Sequence, residues 1–182
     1  MVPPYPDIEA EAGTIRTFGL ALVPGLLQTE AYAREVLRIG RFSENLDQLL
    51  AARLKRQAVL DRTDPPFLWV VLDEFVLHRM VGGPEVMREQ LSYLVEVAQR
   101  PNVTIQIVPM GRGAYAGLNG YLTVLSFEEG PDIVYIDDQV GGHLIEEAAK
   151  VDACKIRFDQ IRASALSQEE SLELLKTLLE RL

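Results

Sequence analysis

The run Phe67-Leu68-Trp69-Val70-Val71-Leu72 has no polar face. A strand can be apolar on both sides only where both sides are covered, so this run belongs inside a sheet packed between two layers. Downstream, Gly82-Gly83-Pro84 opens a helix, proline being favoured in a first helical turn. Met87, Leu91, Leu94, Val95 and Ala98 then fall at helical spacing on one face. Pro101-Asn102 breaks the chain, and Val103, Ile105 and Ile107 alternate with Thr104 and Gln106 as a second strand. A crossover of this length between buried strands requires a parallel pair with a right-handed connection. Residues 65–109 therefore predict strand, short helix, long helix and strand, a β-α-β unit on which the rest must be built.

Beyond it, Tyr121 to Phe127 alternates, Glu128-Glu129-Gly130-Pro131 turns the chain, and Asp132 to Asp137 returns as an antiparallel hairpin. Gly141-Gly142 marks another turn, with His143 to Glu146 a short strand. Val151, Cys154, Phe158, Ile161 and Ala165 mark a helix over about 147–163. Ser167-Gln168-Glu169-Glu170 has the form of a capping box and starts a last helix, striped by Leu172, Leu175, Leu179 and Leu182. That stripe packs either on the domain or on a second copy of it, which makes Leu175 and Leu179 candidate partner-binding residues.

Ahead of the unit, Thr14 to Leu22 reads as an edge strand with Phe18, Leu20 and Leu22 on one face. Pro24-Gly25 is a turn, and Leu26 to Leu37 a helix with Thr29 as cap and Gly40 as stop. Ser43 is the expected N-cap of a further helix over about 44–61. Residues 1–13, rich in proline and acid, read as a tail or linker remnant. The expectation is an α/β fold in one domain, 14–182. It comprises a helical part (26–62), an α/β core (66–146) and C-terminal helices (147–182). Its mixed central sheet combines the β-α-β unit with the hairpin, flanked by N- and C-terminal helices.

Net charge is −9, which argues against nucleic-acid binding by this chain, since phosphate neutralisation needs surplus Lys and Arg. Arg53, Lys55, Arg56 and Arg62 nevertheless concentrate positive charge on one helix. They read either as a docking face for an acidic partner or nucleic acid, with Arg53 and Arg56 as candidates, or as an ordinary solvated face. Cys154 is the only cysteine, so no internal disulfide can form; its place on an apolar helix face reads as a buried small side chain. Residues 1–20 lack the basic start and apolar run of a signal peptide, and no apolar run reaches membrane-spanning length. The expectation is a cytoplasmic protein without membrane partners.

Catalytic signatures are absent. His78 and His143 belong to no metal spacing, and the chain has no G-x-S-x-G elbow, H-E-x-x-H or phosphate-cradling loop. No catalytic residue, metal or cofactor is expected. Asp73 and Glu74 follow the buried strand, with Arg79 within reach of either through a turn of helix. This trio reads as a general acid/base with an orienting cation, or as a helix N-terminal acid with a salt bridge. The stretch Met110 to Gly120 holds four glycines and follows the C-terminal end of the second strand, where open α/β sheets place ligands. Asp73, Glu74, Arg79, Tyr115, Tyr135 and Asp137 are therefore the candidate ligand-binding residues, in a pocket under the glycine loop.

One family pattern runs through these motifs. Its blocks are Pro24-Gly25-Leu26-Leu27-Gln28-Thr29-Glu30, Tyr32-Ala33-Arg34, Arg56-Gln57, and Leu72-Asp73-Glu74 with Leu77 and Arg79. Val81-Gly82-Gly83, Met87, Gln90-Leu91, Val108-Pro109 and Ala165-Leu166-Ser167 complete it. The chain, from about Ile15 to Leu182, resembles the C-terminal domain of unassigned function in actinobacterial XRE-type helix-turn-helix regulators, the antitoxin-like transcriptional regulators. The resemblance implies an effector-sensing or protein-interaction module, a homodimer, with an unknown small-molecule effector and a small acidic protein as partners. It starts too near Met1 to leave room for the family's N-terminal DNA-binding domain, so DNA binding is not carried over. Tyr115 stands where the family commonly has His, and Asp137 where it commonly has Glu. The alternative expectation is a stand-alone small-molecule-binding protein or cofactor-free enzyme using Asp73 or Glu74.

Overall fold

The computed structural model describes residues 5–39, 45–137 and 141–182. Gly40 and Ser43, the expected helix stop and cap, lie outside them. Helix α1 (Tyr5–Glu11) leads into β1 (Thr14–Gly19), then α2 (Glu30–Ile39) and α3 (Leu46–Gln57). The expected unit follows as β2 (Phe67–Asp73), the short α4 (Phe75–His78), α5 (Pro84–Val97) and β3 (Val103–Val108). Strands β4 (Leu122–Ser126), β5 (Ile133–Asp137) and β6 (Gly142–Ile145) precede α6 (Ala148–Ala163) and α7 (Gln168–Glu180).

The strands form one sheet in the order β3-β2-β1-β4-β5-β6. Strands β3, β2 and β1 are parallel, and β1, β4, β5 and β6 are successively antiparallel. The mixed α/β architecture is thus as expected, and the double apolar face of β2 has its cause. Leu68, Val70 and Leu72 join one cluster with Met87, Leu91 and Leu94 of α5 and Leu175 of α7. Val71 joins the other, with Phe18, Val124 and the α6 residues Phe158 and Ile161. Helix α6 covers one face; α5, α7 and the N-terminal helices cover the opposite one.

Two expectations at the N-terminus are corrected. Strand β1 is not an edge: Thr14 pairs with Phe67 on one side and Ser126 on the other. It also ends at Gly19, where the chain turns so tightly that an added Cβ would lie 2.7 Å from the Leu22 carbonyl oxygen. Leu20 and Leu22 consequently pack against different clusters instead of sharing a face. Residues 5–12 are not a tail either. Ile8 and Ala12 are buried in the main cluster, and Arg62 donates to the carbonyls of Ala10 and Ala12, closing the C-terminal end of α1.

Helix α2 begins later than its apolar pattern suggests. Residues 25–27 form a 3-10 turn, Gln28 is extended, and the helix starts at Glu30 behind Thr29, whose hydroxyl accepts from the Tyr32 amide at 3.4 Å. The side chain of Gln90, itself fully buried, spans this break: its Nε2 donates to Leu27 O (2.7 Å) and its Oε1 accepts from Thr29 N–H (2.8 Å). Helix α3 runs on as a 3-10 turn over residues 58–61. At the other end of the chain, α7 opens with the expected capping box between Ser167 and Glu170.

Candidate functional site

The acids after β2 do not line an open site. Asp73 is buried; its Oδ1 accepts from Phe75 N–H at 2.9 Å, and its Oδ2 accepts from the Tyr115 hydroxyl at 2.5 Å. Burial, reinforced by that carboxylate, pushes the Tyr115 phenol well above its ordinary value. Glu74 accepts from Met110 N–H at 2.8 Å and faces His78 at 3.3 Å. Among the described residues Arg79 is exposed and forms no ion pair with either acid. The two carboxylates therefore fix the start of α4 and the loop after β3, which is the structural reading of the pair. That loop closes tightly, for a Cβ on Gly117 would lie 2.5 Å from the Tyr115 ring and 2.6 Å from Phe18.

Tyr135 and Asp137 lie elsewhere. Strands β1 and β4 separate β2 from β5, so they stand three strand spacings, about 14 Å, across the sheet. There they line a cleft of about 700 Å³, between the sheet, the β1–α2 connection and α3. The register sets Thr17, Thr123 and Tyr135 in one row across β1, β4 and β5. Thr123 and Thr17 hydroxyls are 2.7 Å apart, as are Thr123 and Tyr121 hydroxyls, making a short polar chain beneath the cleft. Tyr5 of α1 stacks on Tyr135 with ring centroids 3.8 Å apart, and Tyr121 meets Tyr135 edge to face at 6.3 Å. Leu20, Ala21, Leu22, Val23 and Val36 supply the apolar wall.

The opposite wall is α3, which brings Arg53 and Arg56 into the same cleft as Tyr135 and Asp137. Arg56 lies 5.3 Å over the Tyr5 ring and pairs with the buried Glu9 at 2.6 Å. The paired atoms, Arg56 Nε and Glu9 Oε1, lack hydrogen-bond alignment, so the contact is chiefly electrostatic. The second Glu9 oxygen accepts from the Tyr5 hydroxyl at 2.7 Å. Burial outweighs both partners and raises the Glu9 carboxyl above its ordinary value. Arg53 donates to Gln28 Oε1 at 2.8 Å, while Gln28 Nε2 donates to Val23 O at 2.7 Å. Burial, and then Arg56 beside it, lowers the Arg53 pKa. Gln57 fixes the loop below through the carbonyls of Gly25 (2.8 Å) and Gln28 (2.7 Å).

The site that forms is thus a different combination of the expected residues. Two of the six ligand candidates, Tyr135 and Asp137, join the two arginines expected to face a partner. The remaining partner candidates belong to the domain itself: Leu175 is fully buried, and Leu179 packs against the main cluster. Sequence reasoning passed over Tyr5, Glu9, Gln28 and Tyr121. The signal for the first two was present, as Tyr5 and Glu9 are one helical turn apart beside the apolar pair Ile8 and Ala12.

Among the described residues no group of His, Cys, Asp and Glu is placed to hold a metal ion, and no helix is long and apolar enough to cross a membrane. A family model described as "Domain of unknown function (DUF5753)" matches residues 2–177. No curated protein and no solved structure matches the chain.

Proposed function

Starting from the DUF5753 family, to which this chain belongs, we propose that it is the effector-sensing module of a transcriptional regulator, with the effector held in the cleft between β1, β4, β5 and α3. The regulator context rests on the likeness to actinobacterial XRE-type proteins. The observation that carries the sensing role is the cleft itself. Its volume of about 700 Å³ lies in the range of small-molecule sites, and an apolar wall faces a few convergent polar groups. Tyr5 of α1 also lines the cleft, so occupancy acts directly on that helix.

A thermal-shift screen of metabolites tests this. A ligand at a hundredfold excess over its Kd stabilises the native state by about 2.7 kcal/mol. For a domain of this size that raises Tm by roughly 5–10 °C. Ala21→Trp, at an exposed position of the wall, should fill the cleft and abolish the shift without lowering the melting temperature of the free protein. A shift that survives Ala21→Trp would place the ligand elsewhere and refute the reading.

A second reading, self-association or docking of a small acidic protein, draws on Phe75, Met80 and Met110, large apolar side chains left exposed near the C-terminal ends of β2 and β3. The arginines give that reading less support than the sequence suggested, because both lie inside the cleft and not on an open docking face. An enzyme acting through Asp73 or Glu74 has the least, since backbone and Tyr115 donors already occupy both carboxylates.

A further inference from the structure

The two arginines of the cleft are answered differently. Arg56 is answered by Glu9 at 2.6 Å. Arg53 is answered by a neutral group: it donates to the amide oxygen of Gln28, and among the described residues it forms no ion pair. Half-buried and with one donor engaged, its guanidinium keeps further N–H groups for an acceptor in the cleft. It is also held in position. Gln28 is buried, its amide nitrogen is fixed on Val23 O and its backbone carbonyl on Gln57, so the cation keeps one orientation before any ligand arrives. Burial, and then Arg56 beside it, lowers the Arg53 pKa despite the opposing influence of Asp137.

Size and sign narrow the occupant further. Leu22 and Val36 offer an apolar bed beside the cation. Asp137 lies in the same cleft and acts on Arg53 as its carboxylate influence, which disfavours a second negative charge on the ligand. We propose that the cleft binds a monoanion, a carboxylate carried on an apolar or aromatic body, with the carboxylate received by Arg53 and the body laid against Leu22 and Val36. This rests on reading the cleft as the effector site, and it supplies the ligand class that reading leaves open.

Calorimetric titration of the full chain with benzoate, phenylacetate and octanoate, alongside their primary amides and inorganic phosphate, decides the matter. At least one carboxylate should bind saturably, and at least tenfold more tightly than its own amide or phosphate. Arg53→Met should weaken that carboxylate roughly 10–100-fold, the loss expected of a charge-assisted hydrogen bond. Asp137→Asn should tighten it several-fold, an effect no merely structural role predicts. If Arg53→Met fails to fold, Arg53→Lys and Asp137→Asn carry the comparison, Lys losing the forked geometry but keeping the charge. Amides or phosphate binding as well as the carboxylates, or an Asp137→Asn protein with unchanged affinity, would overturn the proposal. Neutral or cationic molecules that bind and are blocked by Ala21→Trp would leave the cleft an effector site while refuting the monoanion. Binding by no molecule of any charge would remove both.

Discussion

Gln90 offers the sharpest test of how the cleft is held. Replacing it with Leu keeps the side-chain bulk but strips two hydrogen bonds at once, leaving Leu27 O and Thr29 N–H without the partners that span the break before α2. Each unpaired buried backbone group costs about 1–3 kcal/mol, so the loss of both partners should cost about 2–6 kcal/mol. Denaturant titration with an unchanged m-value measures it. Gln90→Glu separates the two bonds, since its carboxylate still accepts from Thr29 N–H but points a negative oxygen at Leu27 O. Burial and that carbonyl raise the folded-state pKa of the introduced acid above its unfolded value. Its ionisation therefore favours the unfolded chain: the Glu variant should be most stable at low pH and lose stability as pH rises through the interval between the two pKa values. A Leu variant within about 1 kcal/mol of the parent, or a Glu variant gaining stability over that interval relative to Gln90→Leu, would refute the account of the break.

Three further outcomes follow. Ile8→Ala should cost about 2–4 kcal/mol by equilibrium unfolding, because α1 is part of the core and not a tail. Gly117→Ala should destabilise by about 1–3 kcal/mol, its methyl colliding with the Phe18 and Tyr115 rings, and the loss should shrink in a Phe18→Leu background. Glu9, whose folded pKa is raised from about 4.5, contributes most below that value and loses its contribution as pH rises toward the folded pKa. The stability of the parent minus that of Glu9→Gln should therefore fall with rising pH over that window and then level; a rise would show that the Arg56 pair outweighs burial.

Much of the fold was legible because it rests on local periodicity. The double apolar face of β2, the Gly-Gly-Pro start of α5, the capping box of α7 and the hairpin turn at Gly130-Pro131 are all short-range signals with physical causes. The N-terminal helix escapes that kind of signal: prolines and acids suggest a tail, and Ile8 and Ala12 supply only two apolar positions, too few for a periodic pattern. The interior place of strand β1 is not legible in its sequence, because order within a sheet depends on long-range pairing that alternation does not encode. The same insertion of β1 and β4 divided the expected site, leaving Asp73 and Tyr115 on one side and carrying Tyr135 and Asp137 toward α3.

The family blocks acquire a common purpose once that geometry is known. Pro24 to Glu30 is the connection that breaks between its 3-10 turn and α2, and polar side chains from two other places, with Gln28 of the stretch itself, hold the break open. Gln90 takes Leu27 and Thr29; Gln57 takes Gly25 and Gln28; Gln28 itself reaches Val23 and Arg53. A continuous helix over this stretch would satisfy its backbone internally and leave no carbonyls for those amides. Broken, it requires them, and it gains a fixed loop against which α3 can present a guanidinium. Gly25 marks how close that approach is, since a Cβ there would lie 3.1 Å from an Arg56 amino nitrogen and 3.9 Å from Arg53 Nε. The glutamines thus connect fold to site: they stabilise an interruption in a helix, and the interruption positions the cation of the cleft.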